Sequence, residues 1–100
     1  MRLTEEQANA IVHAVRRRFG SEAAVYLFGS RTDNEKRGGD IDLLVETDLE
    51  PEAAFRAKID AVTDIQLAIG ERKIDLVTTR RDTPDQRPIV REARREAVKL

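Results

Sequence analysis

The apolar run Ala23-Ala24-Val25-Tyr26-Leu27-Phe28 stops at Gly29-Ser30-Arg31, and a second run begins soon after as Gly38-Gly39-Asp40-Ile41-Asp42-Leu43-Leu44-Val45-Glu46. Short apolar runs bounded by turn residues read as strands. Successive strand side chains face opposite ways, so Asp40 and Asp42 share one side, about 6.6 Å apart along the chain. Ile41, Leu43 and Val45 take the other side and form its buried face. Two carboxylates at that spacing can hold magnesium, whose ligands are hard oxygens and usually include substrate phosphates. Gly29 lets backbone N–H groups come close to a phosphate, and Ser30 sets a hydroxyl beside them. Arg31 can brace either a phosphate or the turn. The grouping reads as a site for a nucleoside triphosphate with its metal.

The rest of the chain supplies a frame for those two strands. Thr4-Glu5-Glu6-Gln7 is a capping box, followed at helical spacing by Ala8, Ile11, Val12, Val15 and Phe19, with Gly20 as a stop. This predicts a helix over about 4–19. Pro51 suits the first turn of a second helix, in which Phe55, Ile59, Val62, Ile65 and Ile69 recur every three or four residues up to Gly70. Lys73-Ile74-Asp75-Leu76-Val77-Thr78 makes a third strand, with Asp75 facing away from Ile74 and Leu76. Thr83-Pro84-Asp85-Gln86 reads as another capping box, starting a last helix that carries Ile89, Val90, Ala93 and Ala97. The connection between the first two strands has only about ten residues, short for a crossover with a full helix. The expectation is therefore an α/β (α+β) fold, a small mixed β-sheet with helices packed on it, in one domain over residues 1–100.

Composition removes several classes of function. The chain has no cysteine, which excludes disulfides, thiolate catalysis and cysteine zinc sites. A formal net charge of −1 and only four aromatic residues (Phe19, Tyr26, Phe28, Phe55) argue against general nucleic-acid affinity and against a base-stacking platform. Neither a signal-peptide core nor a membrane-length apolar run is present, so a cytoplasmic location is expected. There is no Gly-x-x-x-x-Gly-Lys-Ser/Thr loop and no Gly-x-Gly-x-x-Gly fingerprint. His13, the single histidine, has no chemical neighbours in sequence and reads as a surface or packing residue; Tyr26 reads as core. Arg87, Arg91, Arg95 and Lys99 form an i, i+4 row beside Glu92 and Glu96, which reads first as a solvated, ion-paired face and second as a docking surface for an acidic partner or an RNA.

Gly29-Ser30, then Asp40-x-Asp42 on a strand, then a lone Asp75 on a later strand resembles the nucleotidyltransferase superfamily of DNA polymerase beta, and within it the minimal nucleotidyltransferase group of prokaryotes. The likeness runs from about Val25 to Val77. It implies that Gly29 and Ser30, with Arg31 beside them, bind the phosphates of a triphosphate. Asp40 and Asp42 would hold one or two Mg²⁺ ions, and Asp75 would be the third carboxylate, on the side of the nucleophile. It further implies transfer of a nucleoside monophosphate, with ATP as the first choice of donor. The acceptor would be a hydroxyl of a helical HEPN-type partner protein, as in antitoxins of that group. A homo-oligomer is also compatible.

Each element has a plainer explanation when taken singly. A Gly-Ser turn is common, and an Asp-x-Asp at a strand start is often a solvated edge. Asp75 tips the balance, because aspartate is depleted in strands and this one interrupts an apolar segment. Two alternatives stay open: a binding module that neutralises or scaffolds a partner by contact alone, and an RNA-tailing enzyme.

Overall fold

Thr4 starts the first helix by the reciprocal bonds its sequence announces. The Gln7 backbone N–H donates to Thr4 Oγ1 and the Thr4 N–H donates to Gln7 Oε1, both at 3.0 Å. In the computed structural model, which describes residues 3–28, 41–81 and 83–100, this helix α1 spans Glu5–Phe19. Glu5 and Glu6 in its first turn and Arg16, Arg17 and Arg18 in its last complement the helix dipole. Gly20 follows at φ +110°, a backbone region that side-chain-bearing residues rarely adopt.

Strand β1 (Ala24–Phe28) pairs antiparallel with β2 (Ile41–Thr47), with Val25 opposite Val45 and Phe28 opposite Asp42. The Leu49 N–H donates to Thr47 Oγ1 at 3.1 Å, turning the chain out of β2 toward helix α2 (Pro51–Ile69), which has its proline in the first turn and Gly70 at its end. The chain returns as β3 (Ile74–Arg80), parallel to β2. Helix α3 (Pro88–Glu96) and the two-residue strand β4 (Val98–Lys99) complete the described elements. The sheet order is β3-β2-β1-β4, with β4 antiparallel to β1, so the sheet is mixed as expected. No helix among the described residues is long and apolar enough to cross a membrane.

Strand alternation divides the core in two. Helices α1 and α2 cover one face, where Ile11, Val15, Leu43, Val45, Ala61, Ile65 and Leu76 are buried together. Arg18 ties the two helices through Asp64, with Nε–Oδ2 at 2.7 Å and Nη2–Oδ1 at 3.2 Å. That guanidinium holds the Asp64 carboxyl below its usual range. On the opposite face α3 lays Val90 and Ala93 over Phe28 and Leu44. Full burial of Leu44 there stabilises the fold by about 1.5–3 kcal/mol. Leu44 is thus as buried as its neighbours Leu43 and Val45, because both faces of β2 are covered.

Three expectations are corrected by the structure. In α2 the buried row is Ala54, Ala57, Ala61 and Ile65, whereas Phe55 is 61% and Ile59 51% exposed. Small residues let the helix lie close against α1 and the sheet, where larger side chains from those elements already fill the space. The last helix begins at Pro88, after Arg87 rather than Thr83, and no side chain caps it. Asp85 is engaged elsewhere: it accepts from Thr79 Oγ1 at 2.7 Å, from the Arg87 backbone N–H at 3.2 Å and from the Arg87 guanidinium at 2.8 and 3.0 Å. Finally, the helix ends at Glu96 and the chain becomes β4, because the outer edge of β1 offers unpaired backbone groups. The Leu100 N–H accordingly donates to the Val25 carbonyl at 3.0 Å. The row Arg87, Arg91, Arg95 and Lys99 is therefore not one helical stripe. Within it Arg95 pairs with Glu92 at 3.2 Å, as the ion-paired reading has it.

The Asp85 cluster carries a pH signature. Hydrogen bonds from Arg87, ahead of the one from Thr79, hold the Asp85 carboxyl well below the ordinary carboxylate range. A depressed pKa stabilises the fold above the unfolded value near 3.9 and is lost as pH falls through the folded value. Asp85→Asn is expected to cost about 1 kcal/mol at pH 7, since Arg87 is largely exposed. The gap to the wild type should narrow below pH 4 in parallel thermal melts.

Candidate active site

Parallel pairing of β2 and β3 puts Asp42 directly opposite Asp75. Residues in register on neighbouring parallel strands share a face, with Cα atoms about 4.8 Å apart across the ladder. Both aspartates stand on the α3 side of the sheet, the face that also carries Phe28, Leu44 and Val77. They occupy the N-terminal end of their strands, level with Phe28 of the cluster that α3 covers, which is the β1 residue opposite Asp42. Asp42 is half-buried and Asp75 exposed. The structural reason is register alone: Ile41 meets Ile74 and Leu43 meets Leu76 on the other face, so burying those pairs sets both carboxylates outward together.

Of the six residues singled out in the sequence, these two are brought together. Gly29, Ser30, Arg31 and Asp40 lie outside the described residues, as do Lys36 and Arg37 of the same segment. Among the described residues no set of three or more acidic or histidine side chains converges. The donors at hand are carboxylate oxygens, there is no cysteine, and the single histidine belongs to α1 on the other side of the sheet. A hard divalent cation fits such a donor set, and a thiophilic metal does not.

The aspartate face carries a second polar group that the sequence did not disclose. Tyr26 Oη donates to Glu46 Oε1 at 3.3 Å, and Arg94 Nη1 lies 2.6 Å from Glu46 Oε2. Arg94 and Glu46 are far apart in the chain, and no local pattern links them. Tyr26 is accordingly half-buried with its hydroxyl satisfied, rather than an ordinary core residue. With Leu44 and Ala97, Tyr26 and Arg94 line a small hollow of about 140 Å³. This group binds α3 to the sheet on the side of Leu44 away from Asp42.

A hollow of about 620 Å³ is on the opposite side of the molecule, in the outer seam between α1 and α2. Arg17, Arg18 and Arg56 line it together with Glu50, Glu52 and Asp60, so it offers no single charge to a ligand. His13 borders another hollow in the same seam, with Arg17, Asp64 and Leu67, in keeping with a surface role.

Over residues 8–99 the chain matches the family model described as a nucleotidyltransferase domain. A search of curated proteins returned no match.

Tyr26 is the only tyrosine and tryptophan is absent, so its ionisation can be read directly in the ultraviolet. Burial first, then the neighbouring Glu46 carboxylate, pushes its phenol above the usual value of 10.0. Glu46→Gln is expected to bring the titration back toward the ordinary range, measured by absorbance near 295 nm. An unchanged titration would show that the carboxylate has no influence on the ring.

Proposed function

The chain belongs to the nucleotidyltransferase domain family, whose chemistry is the transfer of phosphorus-containing groups, and from that premise we propose a Mg²⁺-dependent transfer of a nucleoside monophosphate, with ATP as donor, to a hydroxyl of a partner protein. The observation that carries this reading is the in-register pair of Asp42 and Asp75 on one face of the sheet. A carboxylate is depleted in strands, and two facing each other on adjacent strands repel, so this placement is poor design for stability alone.

In this reading Asp40, Asp42 and Asp75 hold the metal. Bound there, Mg²⁺ supplies charge stabilisation to the attacking oxygen and to the departing pyrophosphate. Gly29 and Ser30 hold the terminal phosphates through backbone N–H groups and a hydroxyl, and Arg31 adds a fixed positive charge beside them. The acceptor hydroxyl gives up its proton to solvent as its oxygen bonds to the α-phosphorus, the bond from that phosphorus to the bridging oxygen breaks, and pyrophosphate leaves with the bonding pair. Asp75, the more exposed of the described pair, faces the acceptor side and orients the incoming hydroxyl. Phosphoryl-type transfer asks little covalent chemistry of a protein, so positioning and charge account for most of what these residues contribute.

The acceptor proposed is a small helical protein of the HEPN type, which the transfer would neutralise as an antitoxin does. The experiment is to incubate the chain with Mg²⁺, labelled ATP and the product of the adjacent gene. Label is expected on that product, falling about a hundredfold or more in Asp42→Ala and Asp75→Ala. Mg²⁺ with ATP should also raise the melting temperature of the wild type, and not that of Asp75→Asn. Neutralisation of the partner that survives Asp40→Ala/Asp42→Ala would instead make this a contact inhibitor.

A further inference from the structure

The two edges of the sheet are guarded unequally. At one edge β4 is only two residues long, too short to template another strand. At the other, β3 runs Ile74–Arg80 in unbroken parallel register with β2 and contains neither proline nor glycine. The ladder fixes which of its backbone groups face out. The Ile41 N–H donates to the Lys73 carbonyl at 2.9 Å and the Arg81 N–H to the Thr47 carbonyl at 3.2 Å, so Asp75, Val77 and Thr79 are the β3 residues that bond to β2. The N–H and C=O groups of Ile74, Leu76 and Thr78 therefore point away from the sheet.

Neighbouring side chains close this edge at its two ends and leave the middle open. Arg87 Nη2 donates to the Thr78 carbonyl at 2.6 Å, and Gln66 Nε2 donates to the Arg72 carbonyl at 2.8 Å. Between those points, among the described residues, nothing bonds to the outward groups of Ile74 and Leu76 or to the Thr78 N–H. Asp75 stands in the open stretch, exposed, with its side chain on the α3 face. A row of free backbone groups commits its occupant to an extended conformation. A second copy of β3 does not suit it. The antiparallel registers that two copies could share either set Asp75 against its counterpart or call on the carbonyls of Thr78 or Arg72, which are already bonded. A segment of a different protein is free of both restrictions.

We propose that the open edge of β3 takes up an extended segment of the partner protein as an added strand, with a hydroxyl-bearing side chain across from Asp75. Residues in register on neighbouring strands share a face, their Cα atoms about 4.8 Å apart. That side chain and Asp75 then stand together on the α3 side of the sheet. This deepens the partner half of the function proposed above and rests on that reading for the segment being the acceptor; pairing itself is measured without nucleotide or metal, so the two can fail separately.

The test uses the full chain and a labelled peptide of alternating valine and threonine, with lysine ends and a central tyrosine, beside a twin N-methylated at consecutive central residues. In the free chain the Leu76 amide is expected to exchange with deuterium about tenfold or more faster than the Val77 amide, read by NMR, because only Val77 is bonded into the ladder. Saturating peptide should slow exchange at Leu76 about tenfold and leave Val77 unchanged. Fluorescence anisotropy should show the N-methylated twin binding about tenfold more weakly, since it cannot donate to the edge. Excess peptide should also lower label transfer from ATP to the product of the adjacent gene about tenfold. Protection of Leu76 equal to that of Val77 in the free chain, equal binding of the twin, or peptide protection elsewhere than at Leu76 overturns the proposal. So does sedimentation equilibrium showing a dimer whose formation protects Leu76, because the occupant is then a second copy. Transfer that the peptide does not slow overturns it too, and leaves the transfer reading intact. Pairing at Leu76 where no label reaches any partner leaves this edge standing and removes the transfer reading.

Discussion

Parallel pairing of β2 with β3 is the constraint on which the rest depends. Hydrogen bonds of the ladder fix which residues lie opposite one another, and side-chain alternation then fixes which face each presents. A slip of one residue would bury Asp75 under α2 and turn Leu76 toward α3. Burial of Ile41, Leu43, Ile74 and Leu76 against α1 and α2 penalises that slip heavily, so apolar packing on one face sets the positions of charges on the other. The stability of the core and the geometry of the aspartates are thus one property of the ladder, seen from its two sides.

Helix α2 makes that pairing possible and leaves a surface behind. Parallel strands cannot be joined by a tight turn, and α2 provides the crossover between β2 and β3. Its alanines allow close approach, which in turn leaves the bulkier row of Phe55 and Ile59 facing out. The two faces of the sheet therefore differ in character. One is sealed by a pair of helices joined through Arg18 and Asp64, and the other, which carries the aspartates, is covered by the short α3 over Phe28 and Leu44. Arg94 and Glu46 fasten that shorter cover, and Asp85 with Arg87 fastens its entry. Both devices are ion pairs with a well-shielded carboxylate, a placement suited to holding an element that has few apolar contacts of its own.

Much of the fold was legible because the signals are local. The Thr4–Gln7 capping box, the stops at Gly20 and Gly70 and the period-two pattern of β2 each involve residues a few positions apart, and each appears in the structure. The same local logic misled at Thr83–Gln86. A capping box describes what a serine or threonine and a glutamine can do for a helix, and Asp85 inside this one is recruited by Thr79 and Arg87 instead. In α2 the larger apolar residues ranked ahead of alanine in the sequence pattern. Packing reversed that order, since proximity to α1 rewards small size.

The sequence by itself determined the element types, the alternation that puts Asp75 opposite in sense to its apolar neighbours, and a stock of possible ligands with carboxylates in plenty, no cysteine and a single histidine. Those properties depend on bond geometry and residue type, which are fixed over a few positions of chain. Only the tertiary structure decided that Asp42 and Asp75 meet, that Leu44 is covered by α3, that Tyr26 and Arg94 share Glu46, and that the chain's end returns as a strand beside β1. Those outcomes turn on register and on competition between distant groups for the same space or the same hydrogen bond, and no local pattern encodes which competitor wins.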